Sequence, residues 1–182
     1  EAIETYKALK SEYPEYRDLP FVMASVIDCY EQKGQIPAAN EGRRQLFLRY
    51  NRNSEWAKAV HDSAAVRIGD SLSEIALLDA ASYTYSMAIE KKSTDLYRQA
   101  VDYYWDYIKT YPEKEKAGDC HYTIAEILFG EGNYLEAAKQ YMEVSRRYKN
   151  SRYRETAAMN AIVSAQQLLK KEKEMGGAEN AH

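Results

Sequence analysis

One pattern constrains this chain more than any other: an apolar stripe at steps of three and four residues that returns at a fixed interval. It is most complete in Asp119–Tyr153, DCHYTIAEILFGEGNYLEAAKQYMEVSRRYKNSRY. There a first helix over HYTIAEILF leads through a Gly-Glu-Gly-Asn turn into a second helix beginning at Tyr134. Tyr134, Ala137, Tyr141, Val144 and Tyr148 then fall on one face of that second helix. Ala2 and Ala39 are 37 residues apart, and so are Ala100 and Ala137. A chain built this way can bury its apolar faces only by stacking one helix pair on the next.

Taken in order, 1–13 carry Ala2, Tyr6, Leu9 and Tyr13, then Pro14, matching Ala137, Tyr141, Val144 and Tyr148 step for step. This is the second helix of a truncated repeat; the alternative is an N-terminal capping helix. Residues 20–50 form the next repeat, with Pro20 at the start of its first helix and Gly34 at its end. Its second helix bears Ile36, Ala39, Leu46 and Tyr50, with Arg43 where the middle tyrosine would stand: either the stripe is open to water there, or the Arg stem packs while its head reaches water.

Residues 54–112 break the rhythm, because Ala39 and Ala100 are 61 residues apart, 24 more than the period. Trp56, Val60, Ala64, Ile68, Leu72, Ile75, Leu78, Tyr85 and Ile89 keep a helical stripe through the insert. Gly69-Asp70 followed by Ser71-Leu-Ser-Glu74 reads instead as a stop and a new capping box. One long first helix over 54–92, kinked at Gly69, is favoured, since a single extra helix would invert every later pair. The second helix of this repeat carries Tyr97, Ala100, Tyr104, Tyr107 and Tyr111 before Pro112, with Thr94 or Asp95 as its N-cap. Repeat 118–150 follows, with Asn133 as N-cap. A capping helix over 154–172 is expected to pack Ala158, Ile162 and Leu169 inward, and 173–182 read as a disordered tail.

Small Ala, an aromatic four residues later and Pro twelve after the Ala is the pattern at Ala100, Tyr104 and Pro112, and at Ala2, Tyr6 and Pro14. With Ala125, Gly132, Tyr134, Ala137 and Tyr141, it resembles the tetratricopeptide repeat family. Lys149 stands where that family would place a Pro, and the 37-residue spacing exceeds its usual one. The spacing and the Tyr13-Pro14 and Tyr111-Pro112 pairs are similar to a bacterial envelope subgroup of the family. Its members include the periplasmic coordinator of constriction in the Tol-Pal system and the outer-membrane assembly lipoprotein.

The resemblance implies an all-α fold of antiparallel helix pairs wound into a right-handed α-solenoid. It also implies a periplasmic or outer-membrane-associated protein within a multiprotein complex, a cytoplasmic scaffold being the alternative. First helices line the concave side of such an array. The groove positions are then Phe21, Ala24, Asp28 and Glu31; Tyr85, Ile89 and Lys92; and Tyr122, Glu126 and Phe129. They would receive a peptide or partner helix. The competing reading makes Tyr85 and Tyr122 core residues.

Other functions find little footing. Net charge is −3 with signs interleaved, so no basic stripe marks a nucleic-acid surface. No apolar run approaches the roughly 18 residues of a membrane span. His61, His121 and His182 are far apart, and Gly130-Glu-Gly132 is a turn rather than a phosphate loop. Cys29 and Cys120 read as small buried apolar groups, two free thiols separated by an intervening repeat. No cofactor or metal is expected. Glu126 is the one carboxylate that could serve as a lone acid. It motivates the alternative function, a cell-wall-binding helical module that assists a peptidoglycan-active enzyme.

Overall fold

The computed structural model describes residues 2–179, and the side chains of 3–174. Every regular element among the described residues is helical. In chain order these are α1 (Ala2–Glu12), α2 (Leu19–Gln32), α3 (Ile36–Tyr50), α4 (Glu55–Ala59), α5 (Ser63–Lys91), α6 (Thr94–Thr110), α7 (Glu115–Gly130), α8 (Tyr134–Arg147) and α9 (Arg154–Glu179). The chain divides into two compact units, Glu1–Tyr103 and Tyr104–His182, with the boundary inside α6.

One turn geometry recurs along the chain. Between α2 and α3, Lys33 N–H donates to Cys29 O, Gly34 to Glu31 O and Gln35 to Tyr30 O. Between α7 and α8, Glu131, Gly132 and Asn133 donate to Ile127 O, Phe129 O and Leu128 O with the same offsets. Gly34 and Gly132 take φ of +68° and +75° there, a conformation glycine adopts without steric cost. The α5–α6 turn repeats the geometry with Lys92 at φ +49°. Longer connections recur too: Tyr13, Asn51, Tyr111 and Tyr148 each donate four residues back, and each accepts from the amide three residues on.

In the first unit α1 packs on α2, α2 on α3, and α3 on α5, with α2 also meeting α5. Three polar ties fix α3 and α5 as antiparallel: Asn40 with Thr84 at 3.3 Å, Ser73 with the Leu46 carbonyl at 3.3 Å, and Arg52 with Asp70 at 2.9 Å. As the position rises on α3 it falls on α5. The core between them holds Leu19, Met23, Ile27, Ala39, Leu46, Tyr50, Trp56 and Ala76, closed by a hydrogen bond of 2.9 Å between the Tyr6 and Tyr50 hydroxyls.

The inserted segment resolves into a short helix and a long one. Ser54 caps α4 by accepting from Ala57 N at 3.2 Å. Asp62 caps α5 by accepting from Ala64 N at 2.9 Å and Ala65 N at 3.0 Å, which holds its carboxyl below the usual carboxylate range. The long helix therefore begins at Ser63 rather than 54, and its 29 residues span about 43 Å. It passes through Gly69 without stopping. Ser71 donates back to the Arg67 carbonyl, as a mid-helix serine does, and makes no capping box. Gly69 is there for space, since a Cβ would sit 2.7 Å from Trp56 Cζ3 and 3.1 Å from Pro20 Cγ. At α6 the cap is Ser93, one residue before the expected Thr94 or Asp95, accepting from Leu96 N at 3.4 Å.

In the second unit α7 packs on α8, and α8 on α9. Ala125 and Ala137 are fully buried where α7 and α8 cross, with Tyr141 and Val144 beside them. Gly118 makes room for Tyr148, whose hydroxyl donates to Pro112 O at 3.3 Å. The inner face of α9 is Ala157, Ala161 and Ser164. This corrects the expected register by one position. Ala158 is exposed, and Ile162 and Leu169 are 62% and 57% exposed. The choice follows size: small side chains let α9 approach α8, and the bulkier ones are turned outward. The α9 backbone continues helical past Glu172 to Glu179, where a tail was expected; residues 180–182 of that tail lie outside the described residues. So does the Ala2 side chain of the first stripe.

Candidate functional site

The first unit carries a concavity of about 310 Å³ between α2, α3 and α5. One wall is α2, with Phe21, Ala24, Ser25, Asp28 and Glu31 at helical steps. The facing wall is α5, with Leu72, Ile75, Ala76 and Asp79, and α3 adds Arg43 and Leu46. Phe21 is 63% exposed and Ile75 59%, while Leu46 beneath them is buried. Arg43 pairs with Glu31, so the guanidinium expected to reach water ends on a groove carboxylate. Asp28 and Asp79 are exposed and make no ion pair among the described residues.

The α2 positions expected from the repeat register, Phe21, Ala24, Asp28 and Glu31, are thus brought together. Those expected from the next repeat are elsewhere. Tyr85 packs edge-on against Tyr97 with centroids 6.0 Å apart. Ile89 is exposed near the end of α5, and Lys92 is the left-handed residue of the α5–α6 turn. Their groove places are taken by Leu72, Ile75, Ala76 and Asp79, nearer the N-terminus of α5. Part of the signal was present: Leu72 and Ile75 stood in the helical stripe of the insert, whereas Ala76 and Asp79 did not. The repeat spacing points to the C-terminal half of α5, whereas Gly69 against Pro20 sets 72–79 opposite α2.

In the second unit Tyr122, Glu126 and Phe129 of α7 are engaged by their neighbours. Tyr122 stacks on Tyr153 with centroids 4.2 Å apart and meets Tyr141 edge-on at 5.6 Å. Glu126 accepts a hydrogen bond from the Tyr141 hydroxyl and another from Asn160 Nδ2 at 3.3 Å. Burial, followed by that carboxylate, raises the Tyr141 phenol above its ordinary value. Phe129 lies edge-on to Tyr134 at 5.2 Å. The three residues tie α7 to α8 and α9, and Glu126 acts as a hydrogen-bond acceptor for that joint.

Two other places hold titratable groups. A hollow of about 400 Å³ at the C-terminal end of α3 is lined by Lys10, Arg49, Glu15, Glu55, Leu48 and Trp56, among others. Burial and then Arg49 lower the Lys10 pKa, but two carboxylates balance the two cations there, and the Tyr50–Trp56 pair beneath belongs to the core. His121 is buried in α7 between Trp105 and Tyr148, with Nδ1 2.7 Å from Gln140 Oε1. Desolvation lowers its pKa, keeping the ring neutral. Among the described residues no group of three His, Cys, Asp or Glu is placed to hold a metal ion, and no helix is long and apolar enough to cross a membrane. Comparison with family models, curated proteins and solved structures finds no match to this chain.

Proposed function

We propose that the chain is a non-enzymatic scaffold of the tetratricopeptide kind, each of its units a stretch of right-handed α-solenoid. The groove of α2, α3 and α5 would dock a peptide or partner helix. The observation that carries this is the pair Phe21 and Ile75, large apolar side chains more than half exposed on facing walls of one concavity. Apolar side chains left open on a built groove are a common form of helix or peptide recognition. The repeat reading is supported by the recurring turn hydrogen bonds at Gly34, Lys92 and Gly132. A place in the bacterial envelope rests on the sequence resemblance. The alternative, a wall-binding module with Glu126 as an acid, draws less support, because Tyr141 and Asn160 both occupy that carboxylate.

The test is site-specific photo-crosslinking in cells, with a benzophenone side chain at Phe21 or Ile75 and a control at Ile162. A discrete adduct of one mass from both groove positions, and not from Ile162, is the expected result. The same adducts from all three positions, or none from the groove, would refute the assignment.

A further inference from the structure

The groove has a direction. Because α2 and α3 are antiparallel, and α3 and α5 are too, α2 and α5 run parallel. Pro20 touches Gly69, so the two walls start level. Going along them from that end, both change character in the same order. First come Phe21 with Leu72 and Ile75, apolar; then come Asp28 and Glu31 with Asp79, acidic. Small Ala24 and Ala76 lie between, leaving room for a bulky guest side chain. Of the three carboxylates, only Glu31 has a cation among the described residues, Arg43. The groove is therefore apolar at one end and carries uncompensated negative charge at the other.

We infer that this groove takes a basic amphipathic segment: a large apolar anchor at the Phe21 end and a Lys or Arg at the Asp28–Asp79 end. The inference rests on the docking role proposed above and adds the chemistry of the guest. Along α2 the rise from Phe21 to Asp28 is about 10 Å. A helical guest bridges that with an anchor and a cation about seven residues apart, on one face after two turns. An extended guest bridges it in about three residues. Acidic guests would place like charge against Asp28 and Asp79 and are selected against.

The experiment uses the full chain and two synthetic helical peptides, alike in their apolar face, with lysines in one and glutamates in the other. Binding is followed by fluorescence anisotropy at low and at about 0.5 M salt, where exposed charges are largely screened. The lysine peptide should bind and the glutamate peptide should not, and salt should weaken the former. The exposed double variant Asp28→Lys/Asp79→Lys should lose about two- to thirtyfold for the lysine peptide, the range of two exposed ion pairs, and admit the glutamate peptide. Phe21→Ala/Ile75→Ala should weaken whichever peptide binds. Equal binding of both peptides, lost on Phe21→Ala/Ile75→Ala, would overturn the charge selection while leaving the docking groove in place. Binding that neither double variant alters, or no binding of the lysine peptide, would overturn the inference, and the former would remove the groove as well.

Discussion

Replacing Gly69 by Ala separates two opposing effects that the structure puts at one atom. In a helix interior, Ala is normally better than Gly by about 0.5–1 kcal/mol. At Gly69 the new methyl would sit 2.7 Å from Trp56 Cζ3 and 3.1 Å from Pro20 Cγ, both parts of rigid groups. Trp56 has little room to retreat. It is buried, edge-on to Tyr50 at 5.2 Å, and its indole N–H donates to Tyr16 O at 3.3 Å. Overpacking of this kind costs about 1–3 kcal/mol, so after the propensity gain Gly69→Ala should destabilise by about 1 kcal/mol, and by about 2.5 at most. Gly130→Ala, with nothing within 4 Å of its new methyl, should be neutral or stabilising by a few tenths. The chain has two tryptophans, Trp56 in the first unit and Trp105 in the second, so urea unfolding of a Trp105→Phe background reads the first unit alone. A Gly69→Ala protein as stable as its parent would mean that Trp56 does not lie on α5. The helix would then be free to break where the sequence suggested a stop. Trp56→Leu should erase much of the penalty, and strict additivity of the two changes would refute the contact.

Three further outcomes are expected. His121 has its folded pKa lowered by burial, so the unfolded chain binds that proton more readily. Its contribution is complete above the ordinary value of 6.5 and is lost as pH falls below it. Urea midpoints followed by Trp105 fluorescence should drop from pH 7.5 to 5.5, and less steeply in His121→Gln, Glu143 and Arg147 being the charged groups that also act on this ring. Cys120 is buried with its thiol pKa raised by desolvation, whereas Cys29 is half-buried. A thiol-specific dye should thus label Cys29 in the native protein and reach Cys120 only after denaturation; equal native rates would contradict the packing of α7. Lys92→Gly should raise stability by up to about 1 kcal/mol, since Lys92 alone of the three equivalent turn residues is not glycine at positive φ, and an unchanged urea midpoint would argue against the left-handed turn.

Much of the helical order was legible because it depends on local signals. Gly34 and Gly132 end helices by their φ, Pro20 opens one, and the small stripe residues Ala39, Ala100 and Ala137 are all fully buried. The stripe tyrosines Tyr104, Tyr107, Tyr111, Tyr141 and Tyr148 were legible as packing for the same reason, and each is buried. What periodicity could not supply was register against a neighbour. On α9, Ala157 and Ala161 compete with Ala158 and Ile162 for the inner face, and a 3.6-residue period tolerates either stripe. Hydrophobicity favours Ile162. The approach of α8 favours the smaller residues, and that preference becomes visible only when two helices are brought together.

The same limit explains the groove. On α2 the positions expected from the repeat register coincide with position in space, and Phe21, Asp28 and Glu31 line one concavity. On α5 they part company, because the insertion lengthens the helix at its N-terminal side. Leu72 and Ile75, ahead of the turns aligned by the repeat count, lie along α2, with Asp79 in the first aligned turn. Gly69 holds this arrangement: it is the one residue of α5 that allows the helix to close on both Trp56 and Pro20. Once closed there, helical geometry carries Leu72, Ile75 and Asp79 onto the groove wall and Tyr85 and Ile89 beyond it. Residues 72–79 of α5 thus form the second wall of the concavity. A deletion restoring the 37-residue spacing would remove Leu72, Ile75 and Asp79 from the groove while leaving the stripe pattern intact.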